Sequence, residues 1–277
     1  PADPEIPDEH ELRMAMLELP DAPPLRWSTA SAESPRGRVE MERFGSQRLA
    51  DERRVYTYLP ASYEPDAGPY PLLIVFDGWA FTQLVQAQVT LDNLIHRGAI
   101  PPLVAVMPDS GDTPARMRDL GMSDDHNAYV TDELLPWARE RWNLSTSPSQ
   151  VISAGSSLGG VAATYLAMQR PDVTASVLSL SGAFQYAPED GSKPTMWIAH
   201  ELARRDPLPI RFWLNAGTLE NISDHAWPSI RAANRHLHDV LVAKEYRVDY
   251  SEYPGAHDYF WWVETLADGL IALLRQT

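Results

Sequence analysis

The chain of 277 residues has no cysteine, which excludes disulfides, thiolate metal sites and a cysteine nucleophile while leaving the redox compartment open. It also lacks any apolar run of about 18 residues, so no segment reads as a membrane-spanning helix. The first residues, Pro1-Ala2-Asp3-Pro4-Glu5, have neither the basic nor the apolar region of a secretory signal. Positive charge is scarce: Lys193 and Lys244 are the only lysines, and 23 Lys and Arg face 38 Asp and Glu for a net charge of −15. A phosphate-binding surface needs clustered cations, so nucleic acid and anionic membrane are excluded as partners. No H-E-x-x-H is present, and His236 and His238 fall on different faces of one predicted helix, which argues against a zinc hydrolase; no metal or other cofactor is expected.

Residues 1–35 are rich in proline and acids and read as an arm or linker, with the apolar piece Met14-Ala15-Met16-Leu17-Glu18-Leu19 as the possible tail of a preceding domain. Residues 36–277 read as one catalytic unit. Alternation through Val39, Met41 and Phe44, then Val55, Tyr56, Tyr58 and Leu59, predicts two antiparallel strands joined by a turn over residues 45–51. Short, uniformly apolar runs follow at residues 72–76, 103–107 and 151–154, which is the signature of parallel strands buried on both faces. Further strands are expected at residues 176–180, 211–215 and 247–253. Helical spacing marks residues 83–97, 129–142, 161–169, 226–243 and 261–274. Strand alternates with helix, so the fold class is α/β: a doubly wound, mostly parallel sheet with antiparallel N-terminal strands.

In such a sheet ligands meet the carboxyl ends of the strands. Gly155-Ser156-Ser157-Leu158-Gly159-Gly160 follows one strand and precedes a helix, and its G-x-S-x-G pattern is that of a nucleophile elbow with Ser157 exposed above the sheet. The bland alternative is a tight turn of small residues. A serine oxygen needs a base, and His257 lies where an α/β-hydrolase keeps one, after the last strand and before the last helix. His10, His96, His126, His200, His225, His236 and His238 have no such position.

Glu220, beyond the strand ending near Asn215, is the expected acid, with Asp224 as its rival; Asp258 is expected to cap the following helix instead. The amides of Leu158 and Trp79 are the expected oxyanion donors, with Gly78 allowing close backbone approach. The Trp79 indole either walls the substrate or packs in the core. Arg116 and Arg118, in a polar loop with Asp112 and Asp119, are candidates to bind an anionic substrate or else form a solvated salt-bridged loop.

From about Arg48 onward the chain resembles the enterochelin (enterobactin) esterase family, in the esterase D group of α/β-hydrolases. The resemblance rests on Arg53-Arg54-Val55, Asp77-Gly78, Arg116 with Asp119-Leu120, Glu133-Leu134-Leu135-Pro136, Gly155 to Gly160, Ser181-Gly182, Ala216-Gly217 with Glu220, and Gly255-Ala256-His257-Asp258. It implies an α/β-hydrolase with Ser157, Glu220 and His257 as the triad. It also implies hydrolysis of the trilactone or linear ester backbone of a catecholate siderophore, iron-free or ferric, in the cytoplasm, with Arg116 as a catecholate contact. The rival readings are a general carboxylesterase or feruloyl-type esterase on the same scaffold, and a siderophore-binding protein without turnover.

Overall fold

Runs of Leu, Ile, Val and Ala that leave neither face suited to water become the inner strands of one sheet. In the computed structural model, which describes residues 25–188, 190–222 and 228–275, these are β3 (Leu72–Val75), β4 (Val104–Pro108), β5 (Val151–Ser156) and β6 (Ser176–Leu180), each buried along its whole length. Outside them lie β7 (Arg211–Gly217) and β8 (Arg247–Tyr253), the latter alternating in exposure as an edge strand should. On the opposite side, β1 (Arg38–Ser46) and β2 (Asp51–Leu59) form the antiparallel pair.

The sheet order is β1-β2-β4-β3-β5-β6-β7-β8, with β3 through β8 parallel and β2 antiparallel to β4. This is the doubly wound sheet of an α/β-hydrolase. Its two faces are covered separately. On one, α6 (Leu158–Gln169), α7 (Trp197–Arg204) and α8 (Ile230–Ala243) supply Val161, Leu166, Leu202, Leu237 and Leu241 to the core. On the other, α2 (Ala87–His96) and α9 (Tyr259–Leu274) supply Leu91, Leu94, Leu266 and Leu270.

Three expected elements differ in detail. The helix expected over residues 83–97 is α2, which starts only at Ala87, and a further helix, α1 (Gly78–Gln83), precedes it; the two are separated because Leu84 and Val85 both donate to the Ala80 carbonyl and Gln86 turns left-handed at φ 52°. The apolar spacing survives the break since both helices cover the same face. The helix expected over 129–142 begins as a π-helical segment, Tyr129–Leu134, and becomes α5 (Leu135–Arg141); Pro136 has no N–H to give and crowds the carbonyl four residues back, which the wider turn accommodates.

The polar stretch holding Arg116 and Arg118 is not a loop. It is α3 (Thr113–Leu120), started by the Asp112 carboxylate accepting the Ala115 N–H at 2.9 Å and by Pro114 in the first turn. His126 likewise sits in a helix, α4 (Asp124–Ala128), capped by Ser123. The first residues expected in α8 and the apolar piece at 14–19 lie outside the described residues.

The described part of the arm drapes over α2 and α9. The Glu264 carboxylate accepts the backbone N–H groups of Arg26, Trp27 and Ser28 as well as the Ser28 hydroxyl, and Asn93 donates to the carbonyls of Trp27 and Thr29.

Candidate active site

Between β5 and α6 the backbone turns at Ser157 with φ 55° and ψ −121°, a region that a side chain enters only under strain. Two backbone bonds hold it there: Ser157 N–H donates to Leu180 O at 2.9 Å, and Ser157 O accepts from Ala183 N–H at 3.0 Å. The turn is so tight that a Cβ on Gly155 would lie 2.5 Å from the Gly159 carbonyl carbon. Ser157 is half-exposed while the residues on both sides are buried. Leu158 opens α6, at the end where the helix dipole favours negative charge.

Two and three strands away on the same carboxyl edge stand the next two expected residues. Glu220 follows β7; its side chain is 1% exposed, and its Oε2 accepts the Gly217 N–H at 2.7 Å. Its Oε1 lies 2.6 Å from Nδ1 of His257, which follows β8. The buried carboxylate selects the tautomer with the proton on Nδ1 and leaves Nε2 free to accept one, while the imidazole remains about one-third exposed at 34%. Trp262 meets the imidazole edge-on at 4.9 Å. Asp258 accepts from Phe260 N–H and Trp261 N–H and caps α9, as its position after the histidine suggests. Asp224 and His225 lie outside the described residues.

The third strand end belongs to β3. Asp77 adopts a left-handed conformation, φ 62° and ψ 50°, and the chain passes so close to β4 that a Cβ on Gly78 would lie 2.1 Å from the Met107 carbonyl oxygen. Trp79 then falls in the first turn of α1, directly after the Asp77-Gly78 turn. Its indole is half-buried against the core on the α2 and α9 face, which agrees with the packing reading.

Arg116 does not stand free. It grips Asp77 through two bonds of 2.8 and 2.7 Å, and although burial disfavours its charge, the carboxylate outweighs burial and raises its pKa. Tyr259 lies beside this pair, its hydroxyl pKa raised by burial and by Asp77. Arg118, with a side chain 57% exposed, pairs with Asp119, which also holds the buried Arg53 at 2.6 Å. Arg116 and Arg118 are therefore each committed to a carboxylate.

Sequence reasoning found Asp77-Gly78 for its amides but missed the Asp77 side chain as the partner of Arg116. It used Ser181-Gly182 only as a point of resemblance, with no role for Ser181, and it missed Tyr253 and Tyr259, whose only signal is a place at a strand end or directly after His257-Asp258. Volume does not mark the site: a cleft of about 480 Å³ lined by Ser176, Arg211, Tyr246 and Arg247 opens at the opposite, amino edge of the sheet. Among the described residues no group of three or more His, Asp or Glu could hold a metal ion, and no helix is long and apolar enough to cross a membrane.

The family model described as "Putative esterase" matches residues 46–273. The iron(III) enterobactin esterase of Escherichia coli K12 is 28% identical over 264 residues, spanning 94% of this chain and 63% of its own length. An iron(III) salmochelin esterase of Escherichia coli O6:H1 is 27% identical over 223 residues, spanning 75% of this chain and 52% of its own. The crystal structure of the Shigella flexneri enterobactin esterase in the presence of enterobactin superposes with a TM-score of 0.81 at 29% identity, covering 93% of this chain and 63% of that one. A ferulic acid esterase of Anaeromyces mucronatus shares the fold at 17% identity and a TM-score of 0.71. The chain thus spans just under two thirds of the length of the enterobactin esterases it matches.

Proposed function

The chain belongs to this esterase family, and from that premise we propose that it is a serine hydrolase that cleaves the trilactone or linear ester backbone of a catecholate siderophore of the enterobactin type. The observation that carries the reading is the Glu220–His257 contact of 2.6 Å at the edge where the strained Ser157 elbow also stands. The similarity to esterases whose names specify enterobactin and salmochelin supports the substrate class.

Ser157 Oγ attacks the ester carbonyl as His257 Nε2 takes its proton, and the buried Glu220 carboxylate stabilises the imidazolium so formed. The carbonyl electrons move onto oxygen, faced by the amides of Leu158 and Trp79. When the tetrahedral adduct collapses, the seryl alkoxide of the siderophore leaves with the proton from His257. Water, deprotonated by the same imidazole, then releases the acyl-enzyme. The proposed catalytic unit is residues 36–277, residues 1–35 are assigned to an arm or linker outside it, and the proposed compartment is the cytoplasm, where release of iron from a siderophore is useful. Arg116, paired with Asp77 just past the end of β3, is the proposed catecholate contact, and Arg118 is more exposed on the same helix.

Ser157→Ala, assayed on enterobactin with products followed by mass spectrometry, is expected to abolish ester cleavage with the fold unchanged; retained turnover overturns the assignment. Labelling of Ser157 by a fluorophosphonate separates an esterase from a binding protein. A kcat/KM for enterobactin that does not exceed that for a simple aryl or feruloyl ester by orders of magnitude turns the reading toward a general esterase.

A further inference from the structure

Ser181 is fully buried just past the end of β6, between the strand that carries Ser157 and the strand that leads to Glu220, and it too holds a left-handed backbone, φ 48°. A non-glycine residue in that conformation is strained and persists only where its surroundings fix it. Here they do. Its N–H donates to Asn215 of β7, to the side-chain oxygen at 2.9 Å and to the carbonyl at 3.2 Å. On the other side, Leu180, the residue before it, and Ala183, two residues after it, make the two backbone bonds that seat Ser157.

The Ser181 hydroxyl reaches toward the base. It lies 2.7 Å from the Tyr253 hydroxyl and 3.3 Å from Trp262 Nε1, and the Tyr253 hydroxyl lies 3.1 Å from the carbonyl oxygen of Ala256, the residue before His257. All three side chains belong to buried residues. The direction of every bond in this chain follows from what its ends can do. An indole nitrogen only donates and a carbonyl only accepts. Tyr253, kept protonated by burial, must therefore spend its proton on Ala256 O, so the Ser181 hydroxyl donates to Tyr253 and accepts from Trp262. The result is one polarised relay, Trp262 N–H to Ser181 O–H to Tyr253 O–H to Ala256 C=O, in which each bond strengthens the next. The same Ala256 carbonyl accepts the Asp258 N–H at 3.1 Å, so it is held from both sides of His257. Trp262, the first donor, is also the ring against which the imidazole packs.

We propose that Ser181 is a positioning residue that couples the nucleophile's turn to the base: through Tyr253 and Trp262 it fixes the His257 loop relative to the strand end on which Ser157 is seated. This rests on the reading of Ser157 and His257 as nucleophile and base. Ser181 touches no reacting atom. Its effect falls on the step that needs Ser157 and His257 aligned, which is read in kcat, and leaves ground-state binding, read in KM, unchanged.

The test compares Ser181→Ala, Ser181→Gly, Tyr253→Phe and the double variant S181A/Y253F with the native chain and with His257→Ala. Steady-state hydrolysis of enterobactin and the rate of fluorophosphonate labelling are measured, with thermal melting as a control of folding. Each single variant is expected to lose roughly tenfold to a hundredfold in kcat and in labelling rate, with KM within about twofold. The double is expected to be no worse than the weaker single, because both break one relay. Ser181→Gly separates the hydroxyl from the strain: glycine relaxes the left-handed backbone and still loses the relay, so it is expected to match Ser181→Ala. Tyr253→Phe removes a single oxygen and keeps the ring, and so stands as the test if a Ser181 variant fails to fold. Native rates in both Ser181→Gly and Tyr253→Phe, with His257→Ala silent, overturn the relay alone. Labelling of His257→Ala at the native rate overturns the underlying reading, and the relay with it.

Discussion

Nδ1 of His257 lies 2.6 Å from Oε1 of Glu220, whose other oxygen is anchored by the Gly217 amide. A carboxylate so held at 1% exposure has one orientation to offer, and the imidazole must match it. Glu220→Gln keeps the shape but removes the charge and allows an amide N–H to face Nδ1, which favours the wrong tautomer. The expected loss in kcat is about 10²- to 10⁴-fold with little change in KM. Pre-steady-state ester hydrolysis checks it, and a loss confined to KM contradicts the assigned role.

His126 gives the fold a pH dependence of its own. It is buried against Phe76 and Tyr129, and burial lowers its pKa to about 4 from an ordinary 6.5. The folded pKa lies below the unfolded one, so the unfolded chain binds the extra proton first. Stability is complete above about pH 6.5 and declines as pH falls toward 4, by at most about 3 kcal/mol from this group. His126→Phe is expected to flatten that decline. Urea melts at pH 7 and pH 4.5, on both proteins, measure the difference.

The pair Arg53–Asp119 has side chains 4% and 1% exposed, with 2.6 Å between Nη2 and Oδ2. Removing the acid leaves a guanidinium in the interior with only the rim carboxylate of Asp51 near it. Asp119→Ala is expected to cost about 3–5 kcal/mol in a chemical melt. Arg118, exposed on α3 and bound to the same carboxylate, is worth about 1 kcal/mol or less by the same measurement.

Charge at the carboxyl edge bears on the ferric form of the proposed substrate. Arg53, Arg54, Arg116, Arg118, Arg231 and Arg235 each carry a carboxylate partner, and Lys193 spends its ammonium on the Met122 carbonyl and the rings of Tyr165 and Trp197. A ferric tris-catecholate is a trianion and meets a chain of net charge −15. Its kcat/KM is expected to rise roughly threefold or more between about 0.02 M and about 0.5 M salt as repulsion is screened, while that of the iron-free ester stays level.

The parallel strands were legible because burial on both faces demands runs such as Leu72-Leu73-Ile74-Val75, and no other element of so few residues needs them. The Ser157 turn was legible for a similar reason: a side chain forced above the sheet needs glycines around it. Long-range choices were not. That Arg116 turns inward to Asp77, 39 positions away, follows from where α3 lands, which no local pattern encodes. Arg116 and Arg118 looked like loop residues because α3 is polar on nearly all sides; the Asp112 cap and Pro114 were the stronger signals. Ser181 and Tyr253, 72 positions apart, become neighbours only once β6, β7 and β8 are side by side.

The placement of β8 at the rim of the sheet has a bearing on the order in which a growing polypeptide becomes competent. Ser157 and Glu220 emerge from the ribosome well before β8 can dock against β7 and present His257 on its trailing loop. A nascent or prematurely stopped chain that ends before Tyr253 holds a hydroxyl and a carboxylate with no imidazole between them, and it lacks α9, which seals one face of the core. The segment that brings the imidazole is thus the same one that covers that core face, so its loss removes chemistry and burial together.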